Sequence, residues 1–285
     1  MNAIYKRPTK RWISIAGVAI ATAWGSSAAA AGPSPDRIAS IDVEGTVLQV
    51  RMASGNVLNV DDLVGATLTL SQPGGSAPMN VRIESIKIDP TDPDHEVMLY
   101  HLLAVDPVSH ATAELCEANA DGERWGFPLR GQWDAEGRHL SDEGYTMTCS
   151  DGAQGKCVRF GYKPWKSLAD GTPLEPYHQA CVRMVRADYC GGRGTTRNGM
   201  LIDIYDSIGM LAPDPRAQAL GTRFEAAWGP DGAICVAHTR VPENITLEQL
   251  ASECPRLKDR VGEQVCTPES ARALSDGALL FNNSR

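Results

Sequence analysis

Positive charge is scarce in this sequence. Lys and Arg number 27 against 35 Asp and Glu, so the formal net charge is -8. Nucleic-acid binding by phosphate neutralisation needs the opposite balance and is excluded as a general function. Aromatic residues are few, at 6%, whereas 27 Gly and 18 Pro announce many turns. No G-x-S-x-G, H-E-x-x-H or P-loop occurs, so the common signatures of serine hydrolases, zinc proteases and nucleotide hydrolases are missing. No C-x-x-C occurs either, and the pair His178-x-x-Cys181 is by itself too little for a zinc site. There is no internal repeat. A composition of 42% hydrophobic and 22% charged residues excludes a wholly disordered chain and a polytopic membrane protein.

What is present begins with an export signal over residues 1–31. Lys6, Arg7, Lys10 and Arg11 form a basic start, Trp12 to Trp24 an apolar stretch, and Ser26 to Ala31 a run of small residues suited to cleavage. The apolar stretch is shorter than the ~20 residues a membrane span takes. The basic start holds no twin-Arg pair, which points to the general secretion route. The first cysteine is Cys116, so no lipid anchor is expected at the cleavage site, and no membrane span is expected in the mature protein. The expected location is periplasmic or secreted.

Export decides how to read the eight cysteines Cys116, Cys149, Cys157, Cys181, Cys190, Cys235, Cys254 and Cys266. An even count in an exported chain implies four disulfides. Cys254 and Cys266 flank the join of two tail helices and are expected to pair. Cys149 and Cys157 bracket a turn rich in Asp and Gly and are expected to pair as well. A helix running through Tyr189 would separate Cys181 from Cys190 by ~13 Å at ~1.5 Å per residue, beyond disulfide reach. Each is then expected to bridge to Cys116 or Cys235.

The pattern from Asp36 to about His110 is β. Thr46 to Met52 and Ala66 to Leu70 alternate with period two, Gln72-Pro73-Gly74-Gly75-Ser76 is a turn, and Val97 to Val105 reads as a buried strand. Asp89, Asp92 and Asp94 crowd one stretch; they read as Asp-Pro turns in preference to a calcium loop. Gly126 to Leu129 and Gln132 to Asp134 read as two short strands about a Gly turn. Ser150 to Gly155 is either a hairpin turn or the opening of a short helix. Pro176 to Tyr189 is the strongest helix, Ile202 to Tyr205 a strand, and Gly229-Pro230-Asp231-Gly232 a turn between two more. Thr246 with Gln249 forms a capping box, and Thr267-Pro268-Glu269 opens a second tail helix. The expected fold is α+β and mostly β. A small antiparallel β-barrel or sandwich (33–112) precedes a disulfide-rich α+β domain with one central helix (113–242) and a short helical tail (243–285).

Three segments together resemble a known family. They are Lys156 to Trp165, His178 to Gly191 with its Ala187-Asp188-Tyr189-Cys190 run, and Phe224 to Val236. The chain from about Cys116 to Arg240 is similar to the ADYC domain family. That resemblance implies an exported bacterial protein and brings no established activity. An acidic residue often follows the Cys-Gly of the family pattern; here Gly192-Arg193-Gly194 stands there, which weakens any metal reading of that loop.

The residues able to carry chemistry are few. A Cys190 nucleophile with a His178 base would lie ~18 Å apart along a helix of ~1.5 Å per residue, and a nucleophile and its base must touch. The glycine-rich run from Gly191 to Gly199 offers backbone N–H groups to an anion, but it follows a helix instead of opening one. Arg183, Arg186 and Arg193 are binding candidates; for the first two, a charge network with Asp188, Asp203 or Asp206 is the competing role. Trp125, Trp133, Trp165 and Trp228 are either a sugar platform or core plugs. The expectation is a non-catalytic envelope or extracellular module with an unknown partner and no cofactor or metal. The alternative is a hydrolase of an envelope polymer using His178, Asp188 and Asp203.

Overall fold

The structure is a computed structural model that describes residues 36–71, 77–134, 137–274 and 277–285. The expected signal and the expected turn at Gln72–Ser76 lie outside the described residues. The chain divides into two compact units. The first takes the described residues up to Lys87 with Met98–Glu117 and Arg124–Thr148; the second takes Ile88–Val97, Ala118–Glu123 and Cys149–Arg285. The fold is α+β and mostly β.

In the first unit β1 (Ile38–Glu44) and β2 (Val47–Met52) form an antiparallel hairpin. It hangs on β5 (Met98–Val105) by two hydrogen bonds: Met98 N–H donates to Thr46 Oγ1 at 2.6 Å, and Leu48 N–H to the Tyr100 hydroxyl at 3.1 Å. A six-stranded sheet runs in the order β3 (Thr67–Leu70), β4 (Met79–Ile88), β5, β7 (Trp125–Trp133) and β8 (His139–Cys149), with β6 (Thr112–Glu114) paired to β5. Alternation drives Leu68, Leu70, Val81 and Ile83 to one buried side. β7 is one strand of nine residues where two strands and a turn were expected. Gly131 is inside it because Ser141 O and the His139 ring of β8 occupy the space a Cβ would need.

In the second unit the central sheet runs in the order β11 (Gly232–Val236), β10 (Arg223–Gly229), β12 (Leu280–Ser284), β9 (Ile202–Asp206), all antiparallel. Its helices are α1 (Ala153–Arg159), α2 (Glu175–Arg186), α3 (Pro215–Ala219), α4 (Leu247–Glu253) and α5 (Pro268–Ala273). Ala226, Trp228 and Leu280 share a core with Ala180, Val182 and Met184 of α2. Ala227 and Phe281 share another with Tyr205 and Ala271 of α5. The sheet is therefore buried on both faces. The tail was expected to be a short helical one. Instead it ends in β12, an interior strand whose Asn282, Asn283 and Ser284 are all buried.

The cysteine pairing differs from that expected. Cys157 is bonded to Cys181, Cys190 to Cys254 and Cys235 to Cys266, with Cα separations of 5.7, 5.7 and 5.6 Å. Cys116 and Cys149 are disulfide-bonded too. Neither Cys149–Cys157 nor Cys254–Cys266 forms, and neither Cys181 nor Cys190 reaches Cys116 or Cys235. The short helix α1 carries Cys157 against α2, and the two tail cysteines fasten different parts of the tail to the body of the unit. The expectation that Cys181 and Cys190 do not bridge each other is met. Full oxidation fits a protein of an oxidising compartment. Among the described residues no helix is long and apolar enough to cross a membrane.

Candidate functional site

The Ala187-Asp188-Tyr189-Cys190 run sits where α2 stops. The helix ends at Arg186, earlier than the Tyr189 expected from periodicity, because Ala187 adopts a left-handed conformation at φ 49° and ψ 45°. Asp188 N–H then returns to Arg183 O at 2.9 Å. Thr195 closes the turn, its hydroxyl donating to Ala187 O at 2.7 Å and its N–H to Arg186 O at 2.9 Å.

Asp188 is fully buried and fully used. Its Oδ1 accepts the N–H groups of Gly191, Gly192 and Arg193 at 2.8, 2.8 and 2.9 Å. Its Oδ2 accepts Arg183 Nη1 at 2.6 Å. The glycine-rich run does cradle an anion, and the anion is the carboxylate of Asp188. Arg183, also buried, spends its Nε on Pro230 O at 3.2 Å. The side chain of Arg193 is exposed, and Arg186 offers its carbonyl to Thr195 and Thr196.

Tyr189 points into a second buried network. Its hydroxyl donates to Glu225 Oε1 at 2.9 Å and accepts Arg240 N–H at 2.8 Å, and its ring stacks on Trp228 with centroids 5.2 Å apart. Glu225 is the extra residue of a bulge in β10, where the register with β12 shifts between Phe224 and Ala226. The Glu225 carboxylate also accepts Arg240 Nε at 2.9 Å, Arg240 Nη2 at 3.0 Å and Asn282 Nδ2 at 2.8 Å. The remaining Arg240 donors reach Met184 O, Val185 O and Thr196 Oγ1, so this guanidinium also caps the C-terminal end of α2. Burial pushes the Glu225 carboxyl up, but the Arg240 charge and the hydrogen bonds from Arg240, Ser284 and Asn282 outweigh it and hold it below its ordinary value. Burial raises the Tyr189 phenol well above its usual value.

The other candidates lie elsewhere. His178 is buried with Nε2 at 3.2 Å from Gln154 O. Asp203 accepts Asp214 N–H at 3.0 Å and Asn283 Nδ2 at 2.8 Å. Asp188 and Asp203 thus have separate sets of partners. His238 Nε2 lies 3.1 Å from Ser284 Oγ, a spacing that suits a nucleophile and its base. Ser284 is fully buried, however, and its hydroxyl also engages Glu225, which ties it into the buried network. Burial first, and then the charge of Arg223, lowers the basicity of His238.

The carboxylates of the Asp89–Asp94 stretch are engaged by cations. Arg159 Nε meets Asp89 at 2.7 Å; Lys163 Nζ meets Asp92 at 2.7 Å, Asp94 at 2.9 Å and Glu96 at 2.9 Å; Lys166 Nζ meets Asp94 at 2.9 Å and Glu96 at 2.7 Å. Among the described residues no group of three or more His, Cys, Asp or Glu is placed to hold a metal. Trp228 and Trp133 are buried, the first donating to Asn282 and the second to Arg130 O, while Trp125 lies under the Lys87 ammonium at 4.3 Å.

Tyr189 meets Glu225 and Arg240, and Asn282 meets Glu225 in turn; Glu225 lies in the Phe224 to Val236 segment of the family resemblance, whereas Arg240 and Asn282 lie outside the three segments. The one signal for them in the sequence is a carboxylate inside the run Phe224-Glu225-Ala226-Ala227-Trp228, where a buried charge demands a partner.

Fold and site together define a mostly β, fully oxidised protein whose marked motif is a structural junction. The family model described as ADYC domain matches residues 60–242, more than half of the chain, and the chain belongs to that family. The match begins well ahead of Cys116. No curated protein and no solved structure matches the chain.

Proposed function

We propose that this protein is an exported, disulfide-stabilised module of the bacterial envelope or exterior that works without catalysis, through a partner yet to be identified. The observation that carries this reading is the saturation of Asp188. The most conspicuous carboxylate of the family motif is fully buried and holds three loop N–H groups and a buried guanidinium, so it is engaged within the fold and shielded from a substrate. In this reading the N-terminal β-rich part, a small barrel or sandwich by its strand spacing, completes the module, and the basic-apolar start directs it to the periplasm or beyond.

Two measurements test it. N-terminal sequencing of protein recovered from periplasm or culture medium should begin between Ala29 and Pro33; a start at Met1 overturns export. Purified protein incubated with isolated envelope polymers should release no soluble fragments. Fragments released by the native protein and lost in Asp203→Asn would establish the hydrolase instead.

A further inference from the structure

The bridge between the motif loop and the tail joins two cysteines of very different access. Cys190 is exposed, whereas its partner Cys254 is buried. The Cys157–Cys181 and Cys235–Cys266 bridges are closed at both ends, each cysteine no more than 2% exposed, and Cys116 is buried and Cys149 half-buried. Charge favours reaction at the same bridge. The Arg256 guanidinium, two residues beyond Cys254, donates at 2.7 Å to the carbonyl of Tyr189, the residue before Cys190, and a neighbouring cation stabilises thiolate.

We propose that Cys190–Cys254 is a thiol-exchange site whose reactant is an external dithiol, entering at the Cys190 sulfur. A thiolate of the dithiol attacks Cys190 Sγ and forms a mixed disulfide there. The Cys190–Cys254 bond breaks, and Cys254 leaves as a thiolate that takes a proton from water. The second thiol of the reactant loses its proton and attacks the mixed disulfide, and Cys190 leaves as a thiolate that is protonated in turn. Two electrons pass to the protein and the dithiol ends as a disulfide. The loop does not depend on the bridge for its shape. Asp188 holds three of its N–H groups, Ala233 N–H donates to Tyr189 O at 3.0 Å, and the Tyr189 hydroxyl remains on Glu225. Opening the bridge therefore releases the end of α4 from the loop, while the Arg256 bond to Tyr189 O and buried Leu250 and Leu257 keep the tail in place.

The test uses the oxidised native protein and graded dithiothreitol, with alkylation and non-reducing peptide mapping. The expected first event is loss of the Cys190–Cys254 linked peptide, with both cysteines alkylated, near-UV circular dichroism retained and the other bridges intact. Glutathione offered instead should be trapped on the Cys190 peptide. Alkylation of any other cysteine first, glutathione found on Cys254, or loss of the near-UV signal together with the first bridge overturns the proposal.

Discussion

The Tyr189 hydroxyl lies 2.9 Å from Glu225 Oε1, across 36 residues of chain. This contact joins the loop after α2 to the bulge of β10, and through Arg240 it joins both to the last carbonyls of α2. Tyr189→Phe removes one donor to a buried carboxylate and leaves Arg240 N–H without its acceptor. A loss of about 1–3 kcal/mol is expected for buried groups left unsatisfied, read as a lower denaturant midpoint. Glu225→Ala strands the Arg240 guanidinium and should cost more, about 3–5 kcal/mol.

Asp188→Ala should be among the most damaging substitutions in the chain. It opens three loop N–H groups and leaves buried Arg183 without its counter-charge, at a cost of about 3–5 kcal/mol. Asp188→Asn keeps one carbonyl oxygen for the loop and should lose less. Thermal unfolding of the two variants beside the native protein gives the order; equal losses would mean that the ion pair, and not the loop, is what matters.

Gly232 sits at φ 122° with Tyr189 O and Asp188 O at 2.7 and 3.0 Å from where a Cβ would stand. Gly232→Ala should destabilise by more than the ~1 kcal/mol of an ordinary glycine replacement, because both the backbone angle and the space forbid a side chain. Gly171→Ala, with φ 88° and nothing within 4 Å of the added Cβ, is the control. It shares the backbone strain without the clash and should lose less in the same unfolding assay.

Stability should decline as the solution is acidified. Hydrogen bonds from Lys163 and Lys166, helped by their charges, pull the Asp94 carboxyl down to about 2 from an ordinary 3.8. Burial raises Asp92, but Lys163 and the backbone donors of Glu96 and Val97 outweigh it and keep it low. Groups so depressed contribute their stability above the unfolded value and lose it as pH falls through the folded one. Burial works against the Lys163 charge, yet Asp92, Asp94 and Glu96 raise its pKa, so its contribution is intact below about 10.5 and is lost only as pH climbs through the raised value. Lys163→Met should flatten the acid limb between about 3.8 and 2 in a pH series of melting temperatures.

Deleting Leu280–Arg285 removes β12 from between β10 and β9. The expected outcome is loss of cooperative unfolding in the second unit, seen as rapid proteolysis after Cys149. A truncated protein that still melts cooperatively would contradict the interior place of this strand.

Local structure was legible in the sequence because its causes are local. The Thr246–Gln249 capping box forms, Gly229 to Gly232 turns β10 into β11, and α2 lies where its apolar stripe runs. Turn residues, caps and periodicity act within a few positions, so the chain declares them without knowledge of its fold. The even count of cysteines likewise declared full oxidation. The partners of those cysteines did not follow, because a disulfide is decided by which Cα atoms come within reach, and Cys157–Cys181, Cys190–Cys254 and Cys235–Cys266 span 24, 64 and 31 residues. Nor did β12: a helical tail was expected, and Asn282, Asn283 and Ser284 are instead buried in a strand where Trp228, Glu225, Asp203 and His238 meet their side chains. The same holds for Asp188. Periodicity placed it on the helix through Tyr189, and only the early stop of α2 at Arg186 turned three loop N–H groups onto one of its oxygens. Backbone propensity is written along the chain, whereas the pairing of buried charge is settled between segments the sequence keeps far apart.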